Sequence, residues 1–136
     1  MELKVLIIAV IRKGDSILLR KKPEGSPPYK ETWYLFGCDF VPGKDVGETI
    51  QAHMSSLLDL SVKLTSQFSW DTEVKQDIDG ITKQFIYLDV LCDYVSGDVR
   101  TPAGVEKVEW VPVARLAEYD NVPPSVVLFK KLGYLQ

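Results

Sequence analysis

The sequence predicts an α+β protein built on a mixed β-sheet. Segments rich in β-branched and aromatic residues outnumber helical segments along the 136 residues. They do not alternate regularly with helices, as the strands of a doubly wound parallel sheet do. One long amphipathic helical pattern lies in the first half of the chain, and a shorter helix is predicted near its end. The length predicts a single domain over residues 1–136.

The first third of the chain is predicted to form a hairpin, a loop and two short strands. Residues 3–12 are apolar and β-rich, and residues 16–21 form a second strand after the turn Lys13-Gly14-Asp15. Residues 23–32 hold three prolines and a glycine, so they are predicted to be a loop. The two short strands are placed at residues 33–36 and 39–41.

One amphipathic helix is predicted from Asp45 to about Leu60. Asp45 is a favourable N-cap residue, and Glu48 stands three positions later, as in a capping box. Apolar residues then recur at helical spacing and define one buried face. The residues predicted on that face are Val46, Ile50, Met54, Leu57 and Leu58.

The second half of the chain is predicted to be mostly β-structure. Residues 62–73 and 81–94 read as strands around a turn at 76–80, with 81–94 the longest strand of the protein. A further strand is expected at 105–112. A short helix over 113–119 follows it, and a last helix begins at Pro123, because proline is tolerated in a first helical turn.

Composition and charge exclude several classes of protein. Hydrophobic residues make up 46% of the chain and charged residues 26%, which is ordinary for a globular domain. A net charge of −3 offers no bulk attraction to nucleic acid or to anionic lipid, so neither is expected as a partner. The two cysteines, Cys38 and Cys92, are predicted to be small buried side chains and not a disulfide framework.

The apolar N-terminal segment is predicted to belong to the fold. Residues 5–11 form a short run followed at once by basic residues, with no cleavage site of small residues, so no signal peptide is expected. No uncharged apolar run approaches the 18 or so residues that a membrane span needs. The expected location is therefore the cytoplasm.

The loop before the long helix resembles the Nudix superfamily. The family pattern Trp-x-Leu-Pro-Gly-Gly reads here as Trp33-Tyr34-Leu35-Phe36-Gly37-Cys38, and Pro42-Gly43 follow without a gap. The hairpin ending in Ile-Leu-Leu-Arg-Lys-Lys and a Glu-x-x-x-Trp element, Glu106 to Trp110, also fit the family's order of elements. The resemblance implies a mixed sheet sandwiched between helices, an α/β/α sandwich, and a nucleotide or other phosphorylated small molecule as partner.

The resemblance places few of the family's catalytic groups in this chain. The family signature is a glycine, five residues, a glutamate, seven residues, and then Arg-Glu-apolar-x-Glu-Glu-x-Gly. Its carboxylates bind the divalent cations that pyrophosphate hydrolysis requires. Without a gap, the four glutamates fall on Lys44, His53, Ser56 and Leu57. The signature's glycines and arginine fall on Cys38, Asp59 and Ala52.

A second register of the signature is also open. Gly47-Glu48-Thr49 resembles the family's Gly-Glu-Thr step into the helix, if the preceding loop carries an insertion of four residues. The later glutamate positions and the arginine then fall on Ser56, Leu57, Leu60 and Ser61. Both registers describe a degenerate signature, so no metal site is expected, and Mg²⁺ or Mn²⁺ would be required only if other acids had taken over.

Five residues are candidates for a rebuilt acidic or acid–base site. One is Asp59, for which the alternative is a solvated residue at the helix end. Glu106 matches a family position that sometimes supplies a metal ligand or a base, and Glu48 is the glutamate kept in the second register. His53, the only histidine, is a candidate general acid or base, and Asp39 a candidate ligand-binding acid. The alternatives are a strand-surface acid for Glu106, a helix cap for Glu48, a partly buried helix residue for His53 and a loop acid for Asp39.

Cationic residues predict a phosphate-binding surface. Arg20, Lys21 and Lys22 end the second strand beside the proline-rich loop, where they are placed to donate charge-assisted hydrogen bonds to phosphate oxygens. Lys44 is a candidate for gripping an anion directly in place of a metal ion. Phe36 is assigned either to a base-stacking surface in the binding site or to the core.

Three functions follow from these observations. In the first, the protein binds a nucleotide or another phosphorylated small molecule, with weak or absent hydrolysis, as a pseudoenzyme does. In the second, it is an active pyrophosphohydrolase that cleaves substrates linked to a nucleoside diphosphate by means of relocated acidic residues. In the third, it is a structural or interaction domain, for instance a homodimer joined through exposed sheet edges.

Overall fold

The computed structural model describes all residues from Met1 to Gln136 and confirms the α+β class. Seven strands form one mixed sheet, and a 3-10 helix precedes the last α-helix. The elements are β1 (Glu2–Lys13), β2 (Ser16–Lys21), β3 (Trp33–Tyr34), β4 (Phe36–Asp39), α1 (Val46–Leu58), β5 (Ser61–Gln76), β6 (Thr82–Ser96), β7 (Lys107–Pro112), the 3-10 helix (Val113–Glu118) and α2 (Pro123–Lys131).

The centre of the sheet is the parallel pair β1–β6. Each residue from Glu2 to Arg12 pairs with one from Lys83 to Asp93, so the two strands run side by side over most of their length. Antiparallel neighbours flank them: β5 on β6, and both β4 and β2 on β1. A strand buried on both faces needs apolar residues at successive positions. The unbroken apolar run from Val5 to Ile11 in β1 satisfies that need.

Two hydrophobic cores lie on opposite faces of the sheet, as in the predicted sandwich. Helix α1 packs on one face through Ile50, Met54 and Leu58, which are fully buried. Helix α2 packs on the other face through Leu128 and Phe129. Because side chains alternate along a strand, β1 contributes to both cores. It directs Ile7, Ala9 and Ile11 to the first core and Val10 to the second.

An aspartate stands at each end of helix α1, Asp45 at its start and Asp59 at its end. The Asp45 carboxylate accepts a hydrogen bond from the Glu48 backbone N–H at 2.9 Å and caps the helix, as predicted. The helix ends at Leu58, because Asp59 has the left-handed conformation (φ 56°, ψ 35°). The Asp59 N–H is bonded to the carbonyls of Met54 and Ser55, which satisfies two groups at the helix end.

Two local predictions were wrong. Residues 39–41 do not form a strand, since β4 begins at Phe36 and ends at Asp39, where pairing with Leu6 of β1 ends. The longest strand is β5, with 16 residues, and not β6, with 15. The predicted strand stopped at residue 73, whereas the pairing of β5 with β6 continues through Gln76, which lies opposite Thr82.

Neither α-helix has the length and apolar character needed to span a bilayer, since α1 has 13 residues and α2 has 9.

Candidate functional site

A cavity of about 420 Å³ opens where β1, β4 and β6 meet the proline-rich loop. The beginnings of β1 and β6 form its floor, and Tyr29 of the loop covers one side. His53 of α1 reaches it from one face of the sheet, and Ser125 of α2 from the other. Its size falls in the range of small-molecule sites. Its walls combine four aromatic rings with several charged side chains, which suits a ligand that is itself both flat and charged.

Four of the predicted site residues line this cavity. Arg20 and Lys22 enter it from the end of β2, Asp39 from the end of β4, and His53 from α1. Residues that are distant in the sequence therefore lie on one wall. The prediction of a cationic cluster beside the proline-rich loop agrees with this placement for two of its three members.

The other six predicted residues do not line the cavity, and one of them, Asp59, is exposed at the end of α1. Lys21 alternates with Arg20 and Lys22 along the strand, points away from them, and lies 4.0 Å from the Glu106 carboxylate. Phe36 is 1% exposed and belongs to the core beneath α1. Lys44 and Glu48 are exposed at the start of α1. The structure thus assigns Phe36 to the core, the alternative left open by the sequence.

Arg20 and Lys22 share one aromatic ring and lack acidic partners. The Lys22 ammonium lies 4.3 Å from the centre of the Tyr34 ring, and the Arg20 guanidinium carbon lies 5.2 Å from it. No carboxylate lies within 4 Å of either cation, although ten such pairs exist elsewhere in the protein. Burial and the nearby charges of Arg20 and Lys75 lower the pKa of Lys22. These cations repel one another, and an anion between them would remove the repulsion.

The Tyr34 hydroxyl is a buried polar group without a partner. Tyr34 is 8% exposed, and its hydroxyl has no hydrogen-bond partner of standard geometry in the protein, although the Tyr29 backbone lies close enough to lower the pKa of the phenol. Burial raises the pKa of this phenol, so it stays protonated and is able to donate. Buried hydroxyls nearly always have partners. A ligand that enters the cavity would supply the missing one.

A third cation of the cavity, Lys75, is surrounded by aromatic rings and tyrosine hydroxyls. Its ammonium donates hydrogen bonds to the hydroxyls of Tyr29 at 2.7 Å and Tyr87 at 2.9 Å, and it lies 4.5 Å from the Phe85 ring centre. Both phenols in turn donate to one oxygen of Glu73. Burial lowers the pKa of Lys75, and the Glu73 carboxylate opposes that shift. The cluster fixes the ring positions on this side of the cavity.

One buried acid, Asp89, lines the cavity from the middle of β6. It is 4% exposed, and the Ser69 hydroxyl donates a hydrogen bond to its Oδ2 at 2.9 Å. Burial raises the pKa of Asp89 to about 6, although the Ser69 hydrogen bond acts in the opposite direction. The three other acids of the cavity are more exposed or are paired with lysines. Asp77 accepts hydrogen bonds from the ammonium groups of Lys4 and Lys83, both at 2.9 Å. Asp71 lies 3.6 Å from the Lys131 ammonium, and Asp39 is exposed.

At His53 the positive charge of Arg20 outweighs the negative charge of Asp39. Burial lowers the pKa of His53, the Arg20 charge lowers it further, and Asp39 acts in the opposite direction. The imidazole is therefore mainly neutral at pH 7. A guanidinium close enough to affect the imidazole is unfavourable for a divalent cation at this position.

The residues of α1 do not fit a magnesium site of the family type. At the positions that the ungapped register assigns to carboxylates, His53 lines the cavity, Ser56 is exposed and Leu57 packs against the core. No group of three or more His, Cys, Asp or Glu side chains in the chain is arranged to hold a metal ion. Mg²⁺ requires several oxygen ligands in a near-octahedral shell, and the helix supplies no carboxylate toward the cavity.

Three residues that line the cavity, Tyr34, Lys75 and Asp89, were not predicted as site residues from the sequence. Asp89 carried a usable signal, because an acid within the apolar run of a central strand is rare unless it has a partner or a function. Tyr34 and Lys75 carried none. An aromatic residue in a strand predicts burial, and a lysine in an alternating edge strand predicts exposure to solvent.

Comparison with known proteins shows the fold. No protein-family model and no curated protein matches the sequence. Solved structures do match. A NUDIX hydrolase from Nitrosomonas europaea has a TM-score of 0.72 at 14% identity, over 96% of this chain and 87% of that one. A MutT protein from Methanosarcina mazei Go1 has a TM-score of 0.70 at 17% identity, over 96% of this chain and 92% of that one. A MutT NUDIX hydrolase from Burkholderia pseudomallei has a TM-score of 0.66 at 18% identity, over 83% of this chain and 85% of that one. The chain has the Nudix fold.

The end of α1 favours the ungapped register of the Nudix signature. That register places the closing glycine of the signature at Asp59, which is the only residue other than glycine with a positive φ. Glycine is the usual residue in this left-handed conformation at a helix end. In the second register the same glycine would fall on Lys63, which lies inside β5.

Proposed function

We propose that this Nudix-fold protein binds a phosphorylated small molecule, with a nucleotide as the leading class, and holds its phosphate by cationic side chains instead of through a metal ion. The observation that carries the proposal is the pair Arg20 and Lys22. Both cations line the cavity, stack on Tyr34 and have no carboxylate partner.

The phosphate position follows from the donors available on this wall. Arg20 Nε is bonded to the Leu35 carbonyl at 3.1 Å, so the two terminal nitrogens of the guanidinium remain free to bind an anion. Lys22 brings three N–H donors on the same side of the strand. The unpartnered Tyr34 hydroxyl adds a neutral donor beside them. Together these groups supply the charge-assisted hydrogen bonds that a phosphate dianion requires.

The rest of the cavity suits an attached ring. Tyr29, Phe85 and Tyr87 line it together with the apolar side chains of Leu6 and Ile8. Aromatic side chains favour flat ring systems by stacking or edge contacts. A nucleoside phosphate combines such a ring with the anion, and the volume of about 420 Å³ accommodates a ligand of that class.

A second function, pyrophosphate hydrolysis, is favoured by the fold alone. The three similar structures include two described as NUDIX hydrolases. The acids that would have to replace the family's carboxylates are Asp39, Asp71 and Asp89, which line the cavity. Asp77 is engaged by two lysines, and Glu106 lies outside the cavity. Fold does not establish activity, so this function is the alternative against which the proposal is tested.

Titration calorimetry and a turnover assay separate the two functions. We expect inorganic pyrophosphate and at least one nucleoside diphosphate to bind in the presence of EDTA, with a dissociation constant that Mg²⁺ does not improve. We expect no release of phosphate or nucleoside monophosphate at ordinary enzyme rates, about 1 s⁻¹ or faster, with Mg²⁺ or Mn²⁺. The absence of binding in EDTA, or turnover at such rates, would contradict the proposal.

A further inference from the structure

Asp89 is a buried acceptor with one oxygen left open. The β-sheet register places it between Ile8 of β1 and Ser69 of β5, so neighbouring strands flank it on both sides. The Ser69 hydroxyl donates to Oδ2 at 2.9 Å, and this is the one hydrogen bond that the Asp89 carboxylate receives from the protein. A buried carboxylate carries about four lone-pair sites and is costly to bury without donors. Because Asp89 lines the cavity, the missing donors would come from a molecule inside it.

The nearest cation does not satisfy this acceptor. The Lys131 ammonium of α2 donates to the Trp70 carbonyl at 3.1 Å and lies 3.6 Å from the Asp71 carboxylate. No lysine or arginine nitrogen lies within 4 Å of an Asp89 oxygen, which distinguishes Asp89 from the lysine-bound Asp77. Asp71 also lines the cavity and adds negative charge to this side. The region around Asp89 therefore favours groups that donate hydrogen bonds.

The two ends of the cavity have opposite requirements. Ile8 of β1 pairs with Gly37 of β4 on one side and with Asp89 on the other, so two strand spacings, about 10 Å, separate β4 from Asp89. Tyr34, over whose ring both cations lie, is separated from the first residue of β4 by Leu35 alone. One end of the cavity supplies donors and positive charge, and the other supplies a buried acceptor.

We propose that Asp89 is a specificity residue that accepts a hydrogen bond from an exocyclic amino group on the ligand's ring, such as that of a nucleobase, at the end opposite its phosphate. This inference rests on the proposed function for the phosphate end. It narrows the ligand to phosphorylated molecules with a donor edge on the ring. A carbonyl oxygen in the same place would face the carboxylate and be rejected, because two acceptors cannot pair.

Matched ligands test the inference on the unaltered protein. Adenosine, guanosine and cytidine 5′-diphosphates are each compared by calorimetry with the analogue that lacks only the exocyclic amino group. We expect at least one amino-bearing member to bind ten times or more tightly than its analogue, since a site built around a hydrogen bond discriminates strongly against a ligand that lacks it. Equal affinities within all three pairs would overturn the inference.

The variant Asp89→Asn tests whether this side chain causes the preference for ligands that carry the amino group. We expect it to reduce the preference for the amino-bearing ligand at least tenfold while the affinity for inorganic pyrophosphate changes less than threefold. Asp93→Asn is the matched control, because Asp93 lies on the same strand but is exposed and paired with Arg12. A preference that Asp89→Asn leaves intact would overturn the assignment.

The two proposals fail in distinguishable ways. If pyrophosphate does not bind the unaltered protein, the proposed function and this inference both fail. If pyrophosphate binds but no amino group is recognised, only the inference about Asp89 fails. The ligand comparison does not depend on the folding of any variant.

Discussion

The Lys22 ammonium lies 4.3 Å from the centre of the Tyr34 ring, and the hydroxyl of the same tyrosine is buried without a hydrogen-bond partner. The two residues stand twelve positions apart, on either side of the proline-rich loop. The aromatic face stabilises the ammonium in a partly desolvated position, while the hydroxyl pays a desolvation cost that nothing in the free protein offsets. Such an arrangement favours the binding of an anion.

Replacement of Lys22 is expected to weaken the binding of phosphate-containing ligands. Lys22→Ala removes a charge-assisted hydrogen bond worth about 1.5 to 3 kcal/mol, which corresponds to a loss of affinity for pyrophosphate of about 10- to 100-fold. Lys21→Ala is the matched control, since Lys21 lies on the other face of the strand with Glu106, and its affinity should stay within twofold. Equal losses in the two variants, measured by calorimetry, would contradict the site.

Tyr34→Phe is expected to raise stability and reduce binding together. Loss of the unpartnered hydroxyl removes a desolvation cost, so the free energy of unfolding should rise by about 1 to 2 kcal/mol in chemical denaturation. Tyr119→Phe is the control, because its hydroxyl donates to Glu109 at 2.7 Å and its loss should lower stability. A Tyr34→Phe protein that is less stable, or that binds pyrophosphate as tightly as before, would count against the role of this hydroxyl.

His53 is expected to report the arrival of an anion. Its pKa lies below 6.5 in the free protein, because burial and the Arg20 charge oppose protonation. A phosphate bound at Arg20 would offset that charge, so saturating pyrophosphate should raise the pKa of His53. The chain has one histidine, so a pH titration of its imidazole signals by NMR gives one resolved curve. A pKa above 6.5 in the free protein, or no response to bound pyrophosphate, would contradict this arrangement.

Asp89→Asn is expected to stabilise the free protein near neutral pH. Burial raises the pKa of Asp89 to about 6, above its ordinary value of 3.8, so the folded state binds this proton more tightly than the unfolded chain does. As the pH rises from about 4 to above 6, deprotonation therefore costs stability, on the order of 2 to 3 kcal/mol.

The stabilising effect of Asp89→Asn should consequently appear at pH 7.5 and largely vanish at pH 4. Thermal or denaturant unfolding of both proteins at the two pH values measures it. The exposed control Asp93→Asn should show no such gain at pH 7.5. A stability difference between Asp89→Asn and the unaltered protein that does not depend on pH would show that Asp89 is not buried as a costly carboxylate.

Asp59→Gly is expected to stabilise the end of α1 without affecting binding. The left-handed conformation at Asp59 (φ 56°) is free of steric cost for glycine. Unfolding should therefore require about 0.5 to 1 kcal/mol more. Asp59→Ala should shift the denaturation midpoint in the opposite direction. Because Asp59 does not line the cavity, pyrophosphate affinity should be the same in both variants. A destabilised glycine variant would contradict the backbone conformation.

The order of elements and the burial of α1 could be predicted from the sequence, because they follow from local patterns. The period of Ile50, Met54 and Leu58 predicts one buried helix face, and Asp45 predicts where the helix begins. Both predictions match the structure. Strand ends were less predictable, since β4 and β5 each end where their pairing with a neighbouring strand ends, at Asp39 opposite Leu6 and at Gln76 opposite Thr82.

From the sequence we predicted an α+β protein with a mixed sheet and, through the resemblance to the Nudix superfamily, a helix α1 on which most of the family's glutamate positions hold other residues. Only the tertiary structure decided which charges meet. Parallel pairing of β1 with β6, across some 80 residues, brings Asp89 beside Ile8, and antiparallel pairing of β2 with β3 places Tyr34 opposite Arg20 and near Lys22. Such contacts depend on long-range strand register, in which a shift of one residue turns a side chain to the opposite face.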